Sequence, residues 1–193
     1  MSAAGPDLER LARSASAGNR PALEALLREL RPLVVRAARL IVGAGSWAAE
    51  DAAQDAMIDI SFAIEKLRDP RAVRAWALRI ATRRALETAR RERIRRVIRR
   101  EAEIPERELE EVGERQAALM SAIRVLPPKQ RAVLVLRLHS GLSEAETAEV
   151  LGCSVGTVKS QLHDARRRLA AELREEGPPA RVAGETGKEA MLG

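Results

Sequence analysis

Between residues 71 and 100 the chain sets twelve arginines against two acidic side chains, Glu87 and Glu92. Each phosphate contact made by such a run releases condensed counterions, so this is the chemistry of polyanion binding. A solvated helix face laced by salt bridges would interleave carboxylates with the cations, and here they are nearly absent. Residues 101–116 reverse the sign, with seven glutamates against Arg107 and Arg115. Residues 1–70 are close to neutral, and the whole chain carries +6. A basic block set apart in this way points to nucleic acid.

A second constellation lies at 142–170, LSEAETAEVLGCSVGTVKSQLHDARRRLA. Ser143 followed by Glu146 is a capping box, so a helix starts there. Gly152 supplies a turn and Ser154 caps a second helix, whose apolar stripe is Val155, Val158, Leu162, Ala165 and Leu169. Two helices joined by a short glycine turn present the second to a major groove. Its polar face offers Thr157, Lys159, Ser160, Gln161, His163, Asp164, Arg167 and Arg168. Glutamine pairs bidentately with adenine and an acidic side chain accepts from cytosine, so Gln161 and Asp164 are the expected base readers. Thr157, Lys159, His163 and Arg167 are the expected backbone contacts.

Other chemistry finds no support. His139 and His163 have no carboxylate at a spacing that suggests a metal or a triad. Cys153, the single cysteine, excludes an intramolecular disulfide and sits in a turn where a small residue packs. GAG at 43–45 and VGTVK at 155–159 lack the spacing of a phosphate loop. The expectation is a protein that is not an enzyme, with no cofactor and no metal. The N-terminus MSAAGPDLER shows no signal peptide, and the longest apolar run, Leu33 to Val42, is broken by Arg36 and Arg39. A cytoplasmic protein without membrane insertion is expected.

The elements that position these residues are helices. Of 193 residues, 46% are hydrophobic and only 2% aromatic, which suits helical packing and not a β-sandwich. Leu8, Leu11 and Ala15 predict a first helix. Leu23 to Ile41 recur at helical spacing, with a kink expected at Pro32. Ser46 opens a third helix with a stripe of Ala53, Met57, Ile60, Ile64 and Leu67. Asp69-Pro70 caps a fourth that buries Val73, Trp76, Ala77 and Ile80 before entering the arginine block. Ala117–Leu126 and Gln130–Leu138 predict two more helices ahead of the helix-turn-helix. The fold class is all-α: a four-helix domain at 7–100, an acidic linker at 101–116, a helix-turn-helix domain at 117–176 and a flexible tail at 177–193.

Three N-terminal segments, AGNRPALEALLRELRPLVVRAARLIVG, AAEDAAQDAMIDI and RAVRAWALRIATRRALETARR, resemble region 2 of the extracytoplasmic-function sigma factors of bacterial RNA polymerase. LPPKQRAVLVLRLHSGLSEAETAEVLGCSVGTVKSQLHDARRRL resembles region 4 of the same family. The resemblance implies a factor that binds core polymerase and directs it to promoter DNA. It implies that the helix of Asp51, Gln54 and Asp55, with Asp59 a turn further, docks on the polymerase. The loop around Lys66 to Arg71 and the basic helix from Arg74 to Arg91 would capture the melted minus-ten strand, with Arg83, Arg84, Arg90 and Arg91 on phosphates and Glu87 on a base. The second helix of the helix-turn-helix would read the minus-thirty-five element. The linker would thread toward the polymerase active centre, its glutamates mimicking an RNA backbone. Many members are held by an anti-sigma factor, which adds a further partner class.

The chain departs from the family where Arg83 and Glu87 stand for the usual asparagine and aspartate, Val73 for phenylalanine and Gln161 for arginine. Promoter sequence therefore does not carry over. The alternative reading is a stand-alone helix-turn-helix regulator, which usually dimerises on two half-sites. No dimerisation helix is evident, and two basic surfaces separated by an acidic linker suit two unlike DNA elements.

Overall fold

The computed structural model describes residues 5–43, 47–99 and 114–175. Ser46, most of the acidic linker and the tail lie outside the described residues. Eight helices are described: α1 (Gly5–Ser16), α2 (Arg20–Val42), α3 (Trp47–Ala63), α4 (Val73–Arg99), α5 (Glu114–Val125), α6 (Pro128–Leu134), α7 (Glu144–Leu151) and α8 (Val155–Glu175). The two 3-10 turns, Ile64–Lys66 and Pro70–Ala72, join α3 to α4.

α2 is the central post. Asn19 caps it, accepting from the Ala22 N–H at 2.9 Å. Leu26, Leu30, Val34, Ala37, Ala38 and Ile41 fall on one stripe and are all buried. α2 runs through Pro32 as one helix; Pro32 lies on the exposed side, where a carbonyl deprived of its partner meets solvent. Gly43 ends it at φ 128, a conformation that L side chains rarely adopt.

α3 and α4 close on α2 through small residues. α3 buries Ala49, Ala52, Ala53, Ala56 and Ile60. α4 buries Val73, Ala77, Leu78, Ala81, Thr82, Ala85 and Ala89. Trp76 and Ile80, expected in the fully buried stripe, are only partly buried at its edge. Alanines let the helix backbones approach closely beside Ile60 and Leu78, which are fully buried, and Trp76 and Ile80 lie at the rim. The Asp69 side chain accepts from the Arg71 N–H at 3.0 Å and opens the turn into α4, as the Asp-Pro pair predicts.

One ion pair ties α3 to α4. Arg84 donates from Nε to Asp59 Oδ2 at 2.6 Å and from Nη2 to Oδ1 at 2.7 Å, a fork-on-fork geometry. The hydrogen bond from Arg84, together with the Arg84 and Arg83 charges, holds the Asp59 carboxyl below its ordinary value against the opposing effect of burial.

The C-terminal helices pack on the same cluster. α6 continues into a wide turn at 135–139, closed by the Ser140 N–H donating to the Val135 carbonyl at 2.9 Å, five residues back. Val133–Leu136, which alone could pass for a strand, is helical. Ala132, Val135, Leu136 and Leu142 join the buried cluster of α1–α4. Across this seam the buried Arg131 donates from Nη1 to the Val42 carbonyl at 3.3 Å. Burial and the Arg36 guanidinium push the His139 imidazole below its ordinary range. A second small cluster, Ile123, Leu126, Leu134 and Ala165, joins α5 and α6 to α8.

Two stability outcomes are expected. Asp59→Asn should destabilise the protein by about 0.5–1 kcal/mol, the range for partly exposed pairs. A depressed carboxylate stabilises above its unfolded value, so this difference should be complete well above 3.8 and vanish as pH falls through the lowered value. Urea titrations of both proteins across the acid range check it. Ser143→Ala removes the α7 cap, in which Ser143 Oγ accepts from the Glu146 N–H at 3.2 Å and Glu146 Oε2 accepts from the Ser143 N–H at 2.7 Å. It should cost about 1 kcal/mol in the same assay.

Candidate nucleic-acid and polymerase interface

Three polar faces project from this scaffold. The first is the outer side of α3. The buried alanines fix its phase, and Asp51, Gln54 and Asp55 are exposed on the opposite side, as their spacing predicts. Asp59 is not part of that row, because it is turned onto Arg84. The exposed face carries instead three large apolar side chains: Trp47 at 89% exposure, Ile58 at 45% and Phe62 at 81%. Positions 47, 51, 54, 58 and 62 share one helical stripe. An apolar stripe left in water beside carboxylates is the signature of a protein-binding surface. Sequence reasoning missed these three residues. The signal was present in their spacing, which sets them on the face opposite the stripe of Ala53, Met57, Ile60, Ile64 and Leu67.

The second face lies on α4. Arg83, Arg90 and Arg91 are exposed. Arg83 donates from Nε to Glu87 Oε1 at 3.1 Å. Arg84, expected among the DNA-facing cations, is only partly exposed and is committed to Asp59. Its Nη1 lies 3.8 Å from Glu87 Oε2. Lys66, Arg68 and Arg71 in the preceding turn are exposed and extend the basic surface, with Arg71 Nε 3.6 Å from Glu9 Oε1.

The third face belongs to the helix-turn-helix, α7 and α8. Gly152 adopts the left-handed conformation that ends α7, at φ 63 and ψ 40. Ser154 Oγ accepts from the Thr157 N–H at 3.1 Å and starts α8. Val133, Ala148, Val158 and Leu162 form the local core, with Leu151 and Cys153 packed against it. Cys153 therefore fills space, as expected. Val155, expected inward, is 39% exposed: it is the first residue of α8, ahead of the turn that meets the body.

The phase of α8 follows from Val158, Leu162 and Ala165. Opposite them, Gly156, Ser160, His163 and Arg167 occupy the middle of the exposed face. Thr157 and Lys159 are exposed beside it, while Gln161 and Asp164 are half-buried at its edge. Lys159 Nζ lies 3.7 Å from Glu144 Oε2, and Arg167 Nη2 lies 3.7 Å from Asp164 Oδ1. Among the described residues, no group of three or more His, Cys, Asp or Glu is placed to hold a metal ion. No described helix is long and apolar enough to cross a membrane.

Comparison with known proteins agrees with this arrangement. The family description "Sigma-70 region 2" matches residues 26–95 and "Sigma-70, region 4" matches residues 116–169. The ECF RNA polymerase sigma factor SigD of Mycobacterium tuberculosis is 32% identical over 185 residues, covering 90% of this chain and 87% of the relative. SigM of the same species is 36% identical over 157 residues, covering 81% and 80%. Among solved structures, CnrH in complex with the cytosolic domain of CnrY superimposes with a TM-score of 0.66 at 27% identity, over 88% of this chain and 99% of that one. RpoE in complex with the anti-sigma factor NepR, from Bartonella quintana, gives a TM-score of 0.62 over 78% and 96% of the chains. At 24% identity that likeness speaks to the fold alone. A stand-alone regulator needs a helix-turn-helix but has no use for a region 2 upstream of it. Carrying both regions in order, the chain belongs to the extracytoplasmic-function family of RNA polymerase sigma factors, which direct core polymerase to promoters.

Proposed function

We propose that this chain docks on core RNA polymerase through the outer face of α3 and reads two promoter elements, the melted minus-ten strand with α4 and the minus-thirty-five duplex with α8. The observation that carries this reading is the α3 stripe itself. Asp51, Gln54 and Asp55, flanked by Trp47, Ile58 and Phe62, form an exposed apolar and acidic surface unlike either basic face. A partner that is basic and partly apolar, and not DNA, fits such a surface.

The division of labour follows residues 7–100 for polymerase docking and the minus-ten element and residues 117–176 for the minus-thirty-five element. Residues 101–116 are the acidic linker, assigned to the approach to the polymerase active centre, and 177–193 are assigned as a tail. Arg83, Arg90 and Arg91 serve phosphates. Lys159, Thr157, His163 and Arg167 serve the upstream duplex backbone, with Ser160, Gln161 and Asp164 at base edges. The chain acts as a non-enzymatic initiation factor in the cytoplasm. An anti-sigma factor is a further partner class, and its natural target is the same α3 stripe, since covering it blocks docking.

The direct experiment reconstitutes the chain with core polymerase and measures run-off transcription; failure to bind core would refute the reading. Reversal of Asp51 and Asp55 to Lys should weaken core association at low salt by about tenfold and leave the helical circular-dichroism signal unchanged. The loss should shrink in high salt, where exposed charges are screened. Undiminished binding at low salt would exclude this surface.

On α8, Lys159→Ala should lower occupancy evenly across sequences. Gln161→Ala should relax one upstream position, since a good base contact discriminates by about 1–3 kcal/mol. Selection over a randomised upstream element checks both. A changed motif with Lys159→Ala, or an unchanged one with Gln161→Ala, would show the roles to be misassigned.

A further inference from the structure

The charges around the middle of α4 form an alternating chain of four. Asp59 holds two edges of the Arg84 guanidinium at 2.6 and 2.7 Å. The remaining nitrogen of Arg84 approaches Glu87 Oε2 at 3.8 Å. The other oxygen of Glu87 accepts from Arg83 Nε at 3.1 Å. Glu87 is thus a carboxylate held between two guanidinium groups, with its side chain 38% exposed. An ionised carboxylate donates nothing and has about four acceptor sites, so Glu87 keeps free lone pairs for a ligand.

We propose that Asp59, acting through Arg84, is a positioning residue that keeps Glu87 available to a base bearing an exocyclic amino group in the downstream promoter element. This deepens the reading of α4 as the reader of that element and rests on it. The amino groups of adenine, cytosine and guanine donate to a carboxylate, whereas thymine carries no amino group, offers only its N3–H and is disfavoured. Asp59 sets this up from outside the contact. With both of its forked edges occupied, Arg84 reaches Glu87 only with its third nitrogen. Without Asp59 the whole guanidinium is free to swing onto Glu87, three residues along the same helix, and occupy the lone pairs meant for the base. Glu87 would then read poorly although nothing that touches DNA had been altered.

This predicts a pattern that a purely structural role does not produce. Loss of fold stability lowers every promoter alike. Loss of positioning flattens preference at one position while affinity for unrelated single-stranded DNA does not fall, because Asp59→Asn adds one net positive charge.

The test reconstitutes the full chain with core polymerase and selects from promoters randomised across the downstream element, with the upstream element constant. Wild type should disfavour thymine at one position by roughly tenfold, the order expected of one base contact. Asp59→Asn should reduce that preference to about twofold and leave the other positions unchanged. Asp59→Glu, which retains a forked carboxylate, should restore it. Glu87→Gln, which keeps the size of this partly exposed side chain, should alter the same position. If Asp59→Asn returns the wild-type preference, or flattens all positions equally, Asp59 is not a positioning residue. If Glu87→Gln leaves the motif unchanged, Glu87 is not the reader. If wild type selects no downstream element at all, the underlying reading of α4 fails instead.

Discussion

Burial of the α2 stripe is the constraint on which the rest of the molecule depends. Leu26, Leu30, Val34, Ala37, Ala38 and Ile41 are removed from water on nearly every side. Each large aliphatic side chain buried in this way contributes about 1.5–3 kcal/mol. The helices that cover this stripe are the same ones that carry function. α3 and α4 each turn an alanine-rich side inward, which leaves their outer sides free to carry charge. The close approach that alanine permits also brings Asp59 within reach of Arg84, so the ion pair follows from the packing.

The arginine-rich helix is consequently less uniform than its composition suggests. Arg84 is held by a carboxylate from another helix and Arg83 by one from its own, while Arg90 and Arg91 lie further along the exposed side. A run of like charges repels itself, and two acidic neighbours near its middle relieve that repulsion where α4 meets α3. The exposed end retains its field, which is the part suited to phosphates. Within one helix, packing thus separates arginines that organise the surface from arginines that remain open to a polyanion.

The seam between α2 and the C-terminal helices adds a second level of organisation. Leu136 and Val135 enter the same cluster as Val34 and Ile41. The wide turn at 135–139 accommodates this, because the Val135 carbonyl pairs with Ser140 and the chain gains a residue as it leaves α6. Arg131 then satisfies the Val42 carbonyl at the C-terminal end of α2, where helical carbonyls lack partners within their own helix. The C-terminal helices are held to the body by apolar contacts with polar ones at their edge, the Arg131–Val42 bond and the Arg79–Glu149 pair at 3.8 Å, while the recognition face stays in water.

Helical period, caps and charge runs are local, and the sequence alone determined what rests on them. The all-α class, the helix-turn-helix with its Ser143–Glu146 box and Gly152 turn, the Asp69-Pro70 cap of the turn that leads into α4 and the outward row of Asp51, Gln54 and Asp55 were all legible from spacing. Apart from Val155 at the start of α8, the departures are questions of which helix faces which. Trp47, Ile58 and Phe62 are apolar, yet among the described residues no helix covers them. Trp76 and Ile80 yielded the interior of α4 to alanines. Asp59 and Arg84 are 25 residues apart, and no local rule announces their pairing. Gln161 shares the polar side of α8 with Ser160, but the body against which α8 packs leaves it half-buried at the edge. A side chain's period is written in its own helix, but its exposure and its ionic partner are set by neighbours distant in sequence, and only the tertiary structure supplies those.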